Sequence, residues 1–247
     1  MHQRFSRAFR LVPLLAVVSV AAVLAAPGAA HTGPERGGTV PARSYAAYAR
    51  HGSVAIYSSE HASRPRQTLA SRNADGARLS FLVRSLHRRR AWVYLPTRPN
   101  GSSGWVNRSQ VRVYSNPYRV RIDLRAHRLM VWKLGRLLYD APVGVGRAVT
   151  PTPAGTYYIV SRIRPLEPNS VYGAFAFGLS AHSNVFASFG FGGDGRIGLH
   201  GTNDARGVGR NVSHGCIRMR NRAILRLSRL LALGTPVAIT NRPRGRS

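Results

Sequence analysis

The chain of 247 residues holds a single cysteine, Cys216. It lies in the run Ser213-His214-Gly215-Cys216-Ile217-Arg218-Met219, two residues after one histidine and sixteen after another, His200. His200 closes the run Ile197-Gly198-Leu199-His200, which continues Gly201-Thr202-Asn203. A thiol attacks as its thiolate, and an imidazole that accepts its proton forms the ion pair that lowers the thiol pKa. His200 ends an alternating run, so it should project from a strand end toward a cleft. Gly201 and Gly215 allow close backbone approach and unusual φ/ψ. Backbone N–H groups across the turn from Ser213 to Cys216, Gly215 included, could converge on an oxyanion. Ser213 and Thr202 offer hydroxyls to orient the imidazoles. The residues alone therefore argue for acyl transfer through a thioester.

Other chemistries fit less well. His200, His214 and Cys216 are three ligands of the types zinc prefers. Their spacing matches no zinc signature, and no fourth ligand is evident, so neither a metal nor an organic cofactor is expected. One cysteine excludes an intramolecular disulfide framework. Eight Asp and Glu in the whole chain argue against a carboxylate metal cage or a glycosidase-type acid pair. A buried, inert cysteine is the plain alternative to a nucleophile.

The N-terminus has three parts: Arg4, Arg7 and Arg10, an apolar run from Leu11 to Ala26, and small residues around Ala30. This is the secretory pattern, so 1–30 is expected to be a cleavable signal, leaving a secreted, extracytoplasmic chain with no stable membrane span. The apolar run falls short of the ~20 residues that a span needs. Charge is one-sided: Lys+Arg is 37 against 8 acids, a formal +29, and Lys133 is the sole lysine. Such a surface favours polyanions. Outside the membrane that points to the anionic cell envelope. Without an RNP signature or helix-turn-helix, no nucleic-acid partner is expected.

Residues 31–45 read as a linker and 243–247 as a basic tail. From 46 to 115, short alternating runs separated by turns predict a small all-β barrel: Val54–Tyr57, Leu79–Val83, Ala91–Pro96, Trp105–Val106 and Val111–Val113. Beyond Pro117, Arg119–Leu124, Leu129–Trp132 and Leu137–Tyr139 predict a β-meander. Thr150-Pro151-Thr152-Pro153-Ala154-Gly155 forms a rigid turn before the strand Thr156–Val160. Residues 163–195, rich in Gly, Ser and aromatics, read as a long loop or lid carrying Tyr172 and His182 as candidate substrate contacts. One helix is predicted over Arg222–Leu233, capped by Asn221 and stopped by Gly234, and a strand over Pro236–Thr240 closes the chain. The fold class is mainly β.

The His-Gly-Thr-Asn element followed by Ser-His-Gly-Cys-Ile-Arg-Met resembles the active-site signature of L,D-transpeptidases of the YkuD family. The resemblance extends from about Pro117 to Asn241, within a catalytic domain expected over 117–242, and includes the Thr-Pro-Thr-Pro-Ala-Gly turn. It implies a mostly β catalytic domain acting on peptidoglycan stem peptides. It matches Cys216 to the nucleophile, His200 to the proton-transferring histidine, His214 to a second histidine lining the site, and Gly201 to the carbonyl that holds the imidazole. Arg218 matches an arginine of one branch of the family, where another has asparagine, and is expected to pair with a substrate carboxylate. The stretch from Trp92 to Val113 resembles bacterial SH3-like modules. The first half-reaction is common to crosslinking, carboxypeptidase action and protein anchoring to the wall. A non-catalytic wall-binding protein is the reading from another class. NlpC/P60-type peptidases place cysteine before histidine, and sortases separate the two more widely, so neither pattern fits.

Overall fold

The computed structural model describes residues 43–167, 169–189 and 193–241. The expected signal segment, most of the expected linker and the basic tail lie outside the described residues. The fold is mainly β, with two large sheets and one α-helix among the described residues.

The first sheet contains β1 (Ser44–Ala49), β2 (Ser53–Tyr57), β3 (Gln67–Ala70), β4 (Ser80–Leu86), β5 (Arg90–Tyr94), β6 (Ser103–Asn107) and β7 (Val111–Asn116). Their order is β3-β2-β6-β5-β4-β1-β7, and the pairings are antiparallel. Alternate residues turn inward: Ala91 and Val93 of β5, Val106 of β6 and Ile56 of β2 are fully buried and meet Phe81 in one core. Period-2 patterning is what buries one face of a sheet and leaves the other wet. β3 and β7 lie at the edges and do not pair with each other, so where a closed barrel is expected the strand order is that of an open sheet over this core. β1 begins at Ser44, inside the expected linker, because Ala46, Ala47 and Ala49 pack into the cores although alanine carries little sequence signal.

The second sheet contains β8 (Tyr118–Asp123), β9 (Arg128–Lys133), β10 (Arg136–Pro142), β12 (Gly155–Ile163), β13 (Ala176–His182), β14 (Arg196–His200), β16 (Ile217–Arg218) and β17 (Pro236–Thr240). Their order is β10-β9-β8-β17-β12-β13-β14-β16. β11 (Val145–Gly146) and β15 (Asn211–Ser213) form a short parallel pair of their own. β8 to β10 make the expected meander. The core joins Val120, Leu129, Ile159, Phe177, Leu199 and Ile217.

Two expectations are corrected. The region 163–195 is not one loop, because β13 crosses it in the middle of the sheet. All seven residues of Ala176-Phe177-Gly178-Leu179-Ser180-Ala181-His182 are buried. A strand covered on both faces has no alternation to betray it. The helix α1 spans Asn221–Ser228, not 222–233, and its N-cap is Arg220. Beyond Ser228 the chain tightens into turns, with Leu230 N–H bonded to Leu227 O at 3.0 Å. Those turns still deliver Leu231 to the core beside Ile224 and Leu227, which is why the apolar periodicity outruns the helix.

The two sheets meet at β12, where Tyr158 and Val160 pack against Leu82 and Tyr94. Tyr158 Oη donates to Tyr94 O at 3.1 Å. Asn116 donates to Thr235 Oγ1 at 3.0 Å in a buried bond.

Candidate active site

β14 decides the site. It pairs antiparallel with β13 and parallel with β16, in the register Leu199↔Ile217 and His200↔Arg218. That parallel pair brings two segments sixteen residues apart in sequence side by side. Gly198 and His200, two apart on a strand, share a face. Gly198 N–H donates to Cys216 Sγ at 3.4 Å. A Cβ placed on Gly198 would lie 3.4 Å from His200 Cδ2 and 3.7 Å from Cys216 Sγ. Thiol and imidazole thus flank one point of backbone.

His200 is 2% exposed. Its Nδ1 donates to Gly201 O at 2.6 Å. This sets the tautomer, leaving Nε2 as the basic atom. The ring meets Tyr172 edge-on, with centroids 5.1 Å apart. The Cys216 loop is built from below. Ser213 Oγ donates to Cys216 O at 2.6 Å and accepts from Gly215 N–H at 3.0 Å. Thr152 Oγ1 donates to Gly215 O at 2.8 Å, and Thr150 Oγ1 to Ser213 O at 3.0 Å. The Thr-Pro-Thr-Pro turn is therefore the floor on which the cysteine loop rests. Gly215 has φ +123°, where a side chain would be strained.

Residues 117–239 match the model of the YkuD family, described as the L,D-transpeptidase catalytic domain. Two Bacillus proteins, each provisionally named L,D-transpeptidase YkuD, are similar. That of B. subtilis is 32% identical over 51% of this chain and 68% of its own length. That of B. licheniformis is 36% identical over 50% of this chain and 66% of its own length. The chain belongs to the YkuD family. A solved L,D-transpeptidase from Mycobacterium tuberculosis H37Rv is 17% identical, covers 67% of this chain and 91% of that one, and has a TM-score of 0.43.

Within this YkuD domain, several sequence expectations need correcting. Gly215 N–H is taken by Ser213 Oγ, so it is not a free oxyanion donor. Neither Ser213 nor Thr202 orients an imidazole: Ser213 serves the cysteine loop, and Thr202 Oγ1 bonds with the Asp204 backbone. His182 is no lid residue. It ends β13 opposite Arg196, while His200 pairs with Ala176 at the other end. Along β14 the two ends lie four residues apart, Arg196 to His200, ~13 Å. His182 is 1% exposed, with Nε2 on Asp194 at 3.0 Å and both backbone groups bonded to Asn100. It is a buried structural histidine, because a strand end packed under another sheet shields it. Asn221 does not cap α1. Its Oδ1 accepts from Ala174 N–H and Thr202 N–H, both at 3.1 Å.

Tyr172 does reach the site. His214 is exposed beside the cysteine loop, with Nε2 accepting from the Arg147 guanidinium at 2.6 Å and its ring near Phe186. Arg218 Nε is buried without a hydrogen-bond partner among the described residues. Sequence reasoning missed Gly198 and Arg147, read Asn221 as a helix cap, and read Thr150 and Thr152 as part of a rigid turn without a contact to the cysteine loop. Gly198 had a signal in its period-2 spacing from His200, and Thr150 and Thr152 had one in the Thr-Pro-Thr-Pro pattern.

Burial dominates the electrostatics. It pushes His200 from 6.5 down to about 4; the Gly201 carbonyl opposes this and the Arg218 charge adds to it. Burial raises the Cys216 thiol, against the Gly198 N–H and Arg218. Burial and the neighbouring Cys216 raise the Tyr172 phenol. The favoured resting state is a neutral thiol beside a neutral imidazole, not the ion pair expected from sequence.

Among the described residues no cluster of three His, Cys, Asp or Glu is arranged to hold a metal. One cleft among the described residues lies away from Cys216. It has a volume of about 740 Å³, sits between β10 and α1, and is lined by Arg220, Arg222, Arg226 and Arg229.

Proposed function

We propose that this YkuD-family chain is a peptidoglycan L,D-transpeptidase that forms 3→3 crosslinks through a Cys216 thioester. The observation carrying this reading is that Cys216 Sγ and the His200 ring flank Gly198, with His200 Nδ1 tied to Gly201 O. Cys216 attacks the carbonyl before the terminal D-Ala of a tetrapeptide stem while His200 Nε2 takes the thiol proton. A neutral pair suits this order, since the proton moves as the S–C bond forms. D-Ala then leaves as an amine carrying that proton. The thioester rests on the third stem residue. A side-chain amine of a second stem attacks it, His200 takes the amine proton, and Cys216 leaves as the thiol. The unpartnered Arg218 Nε supports a role in pairing with a substrate carboxylate. Tyr172 covers the His200 ring and narrows the approach.

The catalytic domain is assigned to 117–242 and the preceding β module to 46–115, in a secreted, wall-associated chain with a signal over 1–30. The arginine-lined cleft beside α1 supports contact with the anionic envelope.

The test is incubation of the mature chain with a defined disaccharide-tetrapeptide, read by mass spectrometry. A dimer lacking one D-Ala, with fragmentation placing the bond between two third residues, is expected. Tripeptide alone replaces the reading with carboxypeptidase action. An untouched substrate, consumed by an active control enzyme, replaces it with wall binding.

A further inference from the structure

Asn221 stands at the start of α1, where its side chain would serve an ordinary helix as a cap. It is turned away instead. One atom, Oδ1, accepts two backbone N–H groups from segments far apart in sequence: Ala174, after the Tyr172 turn, and Thr202, after His200. The two segments close tightly around the amide. A Cβ on either Gly173 or Gly201 would collide with Asn221 Oδ1, and Gly173 has φ +63°. A further bond, Gly201 N–H to Phe175 O at 2.9 Å, closes the same seam.

Each clamped segment fixes one side of the His200 ring. Gly201 carries the carbonyl that holds Nδ1–H, and Tyr172 packs its ring edge-on against the imidazole. We infer that Asn221 is a positioning residue for the proposed acyl transfer: through these two N–H groups it holds the Gly201 carbonyl and the Tyr172 turn, and so sets the His200 tautomer that leaves Nε2 basic. The inference rests on the proposed catalytic role of His200, but its physical core is the tautomer, which can be read without substrate. Losing the acceptor frees the Gly201–Thr202 peptide to rotate, Nδ1–H loses its partner, and the proton can shift to Nε2.

The full mature chain is compared with Asn221→Ala and Asn221→Asp. A carboxylate keeps an acceptor for both N–H groups, whereas alanine keeps none. Long-range ¹H–¹⁵N correlation reports the His200 tautomer, and stem-peptide turnover reports kcat and KM. In Asn221→Ala we expect a mixed tautomer and a kcat at least 10-fold lower, with KM within twofold. In Asn221→Asp we expect the Nδ1–H tautomer and kcat within threefold of wild type. If Asn221→Ala does not fold, Asn221→Asp decides: a folded but inactive Asp variant with a changed tautomer overturns the inference. A folded Asn221→Ala chain with the wild-type tautomer also overturns it. If wild type itself consumes no stem peptide while the tautomer shifts as stated, the clamp stands and the transpeptidase reading fails.

Discussion

The two ends of the β13–β14 ladder are secured by different means. At the Ala176 end, where His200 lies, one side-chain amide from the same sheet's own helix ties the Tyr172 turn to the Gly201 backbone. At the His182 end the first sheet does the work. Arg98 donates to the carbonyls of Ser183, Phe186 and Asp194 at 2.8, 2.8 and 3.0 Å. Asn100 exchanges hydrogen bonds with His182 and reaches Asn184 Oδ1 at 3.1 Å. Both ends hold a buried histidine with a lowered pKa, yet only one ring shares a neighbouring glycine, Gly198, with a thiol. Burial of a histidine is therefore not a mark of chemistry. What differs is the partner: a fixed backbone carbonyl and a cysteine at one end, a carboxylate and a neighbouring sheet at the other.

This contrast is broken most severely at the thiol. Cys216→Ser and His200→Ala should each lower stem-peptide turnover by roughly 10³-fold or more. Circular dichroism should remain that of the wild type. Full turnover in a Cys216→Ala chain would end the comparison, since neither end would then be catalytic.

pH separates the two histidines next. The His200 pKa is depressed in the fold, so the unfolded chain binds more protons between pH 6.5 and about 4. Its stabilising effect is complete above pH 6.5 and is lost as pH falls toward 4. A shift of this size corresponds to about 3 kcal/mol. Urea melts at pH 7, 5.5 and 4 should show that loss, and His200→Gln should remove most of it. His182→Gln should remove less, because Asp194 partly offsets the burial of His182. By the same sign, single-turnover acylation should hold its rate below pH 6 and fall with an apparent pKa near 4. A midpoint near 6.5 would mean that His200 is not the buried base described.

Arg98→Ala should act on stability and spare the chemistry. Its three carbonyl bonds predict a loss of roughly 1–2 kcal/mol in denaturant melts. Turnover at neutral pH should stay within about threefold, the far end being ~13 Å along β14 from His200. A turnover loss as deep as that of Asn221→Ala would show that both ends position the site.

The smallest catalytic effect is expected at the cleft beside α1. Replacing Arg222, Arg226 and Arg229 by Gln should weaken retention on an anionic polymer and flatten its salt dependence. Turnover of a soluble stem peptide should stay unchanged. Equal weakening by three arginine-to-glutamine changes on the first sheet would assign retention to net charge alone.

Much of this was legible before any fold. The alternation in Arg119–Leu124 and Ala91–Leu95 gave β8 and β5, because one face of each is wet. β13 was hidden, being covered on both sides, and so was β1, whose inward residues are alanines. The cysteine and two histidines were legible from type and spacing. His182 was misread because a histidine in a Gly- and Ser-rich stretch carries no sign of what lies above it.

The sequence by itself determined the chemistry on offer: one thiol, an imidazole ending a strand, glycines that let backbone approach backbone, and a basic surface. Those are local properties of residue type and period. Only the tertiary structure decided which imidazole lies beside the glycine that the thiol touches, that Gly215 N–H is spent on Ser213, that Asn221 clamps two distant segments, and that burial lowers the His200 pKa and raises that of Cys216. Each of these depends on burial and on contacts between residues remote in the chain, and neither is written in any local pattern.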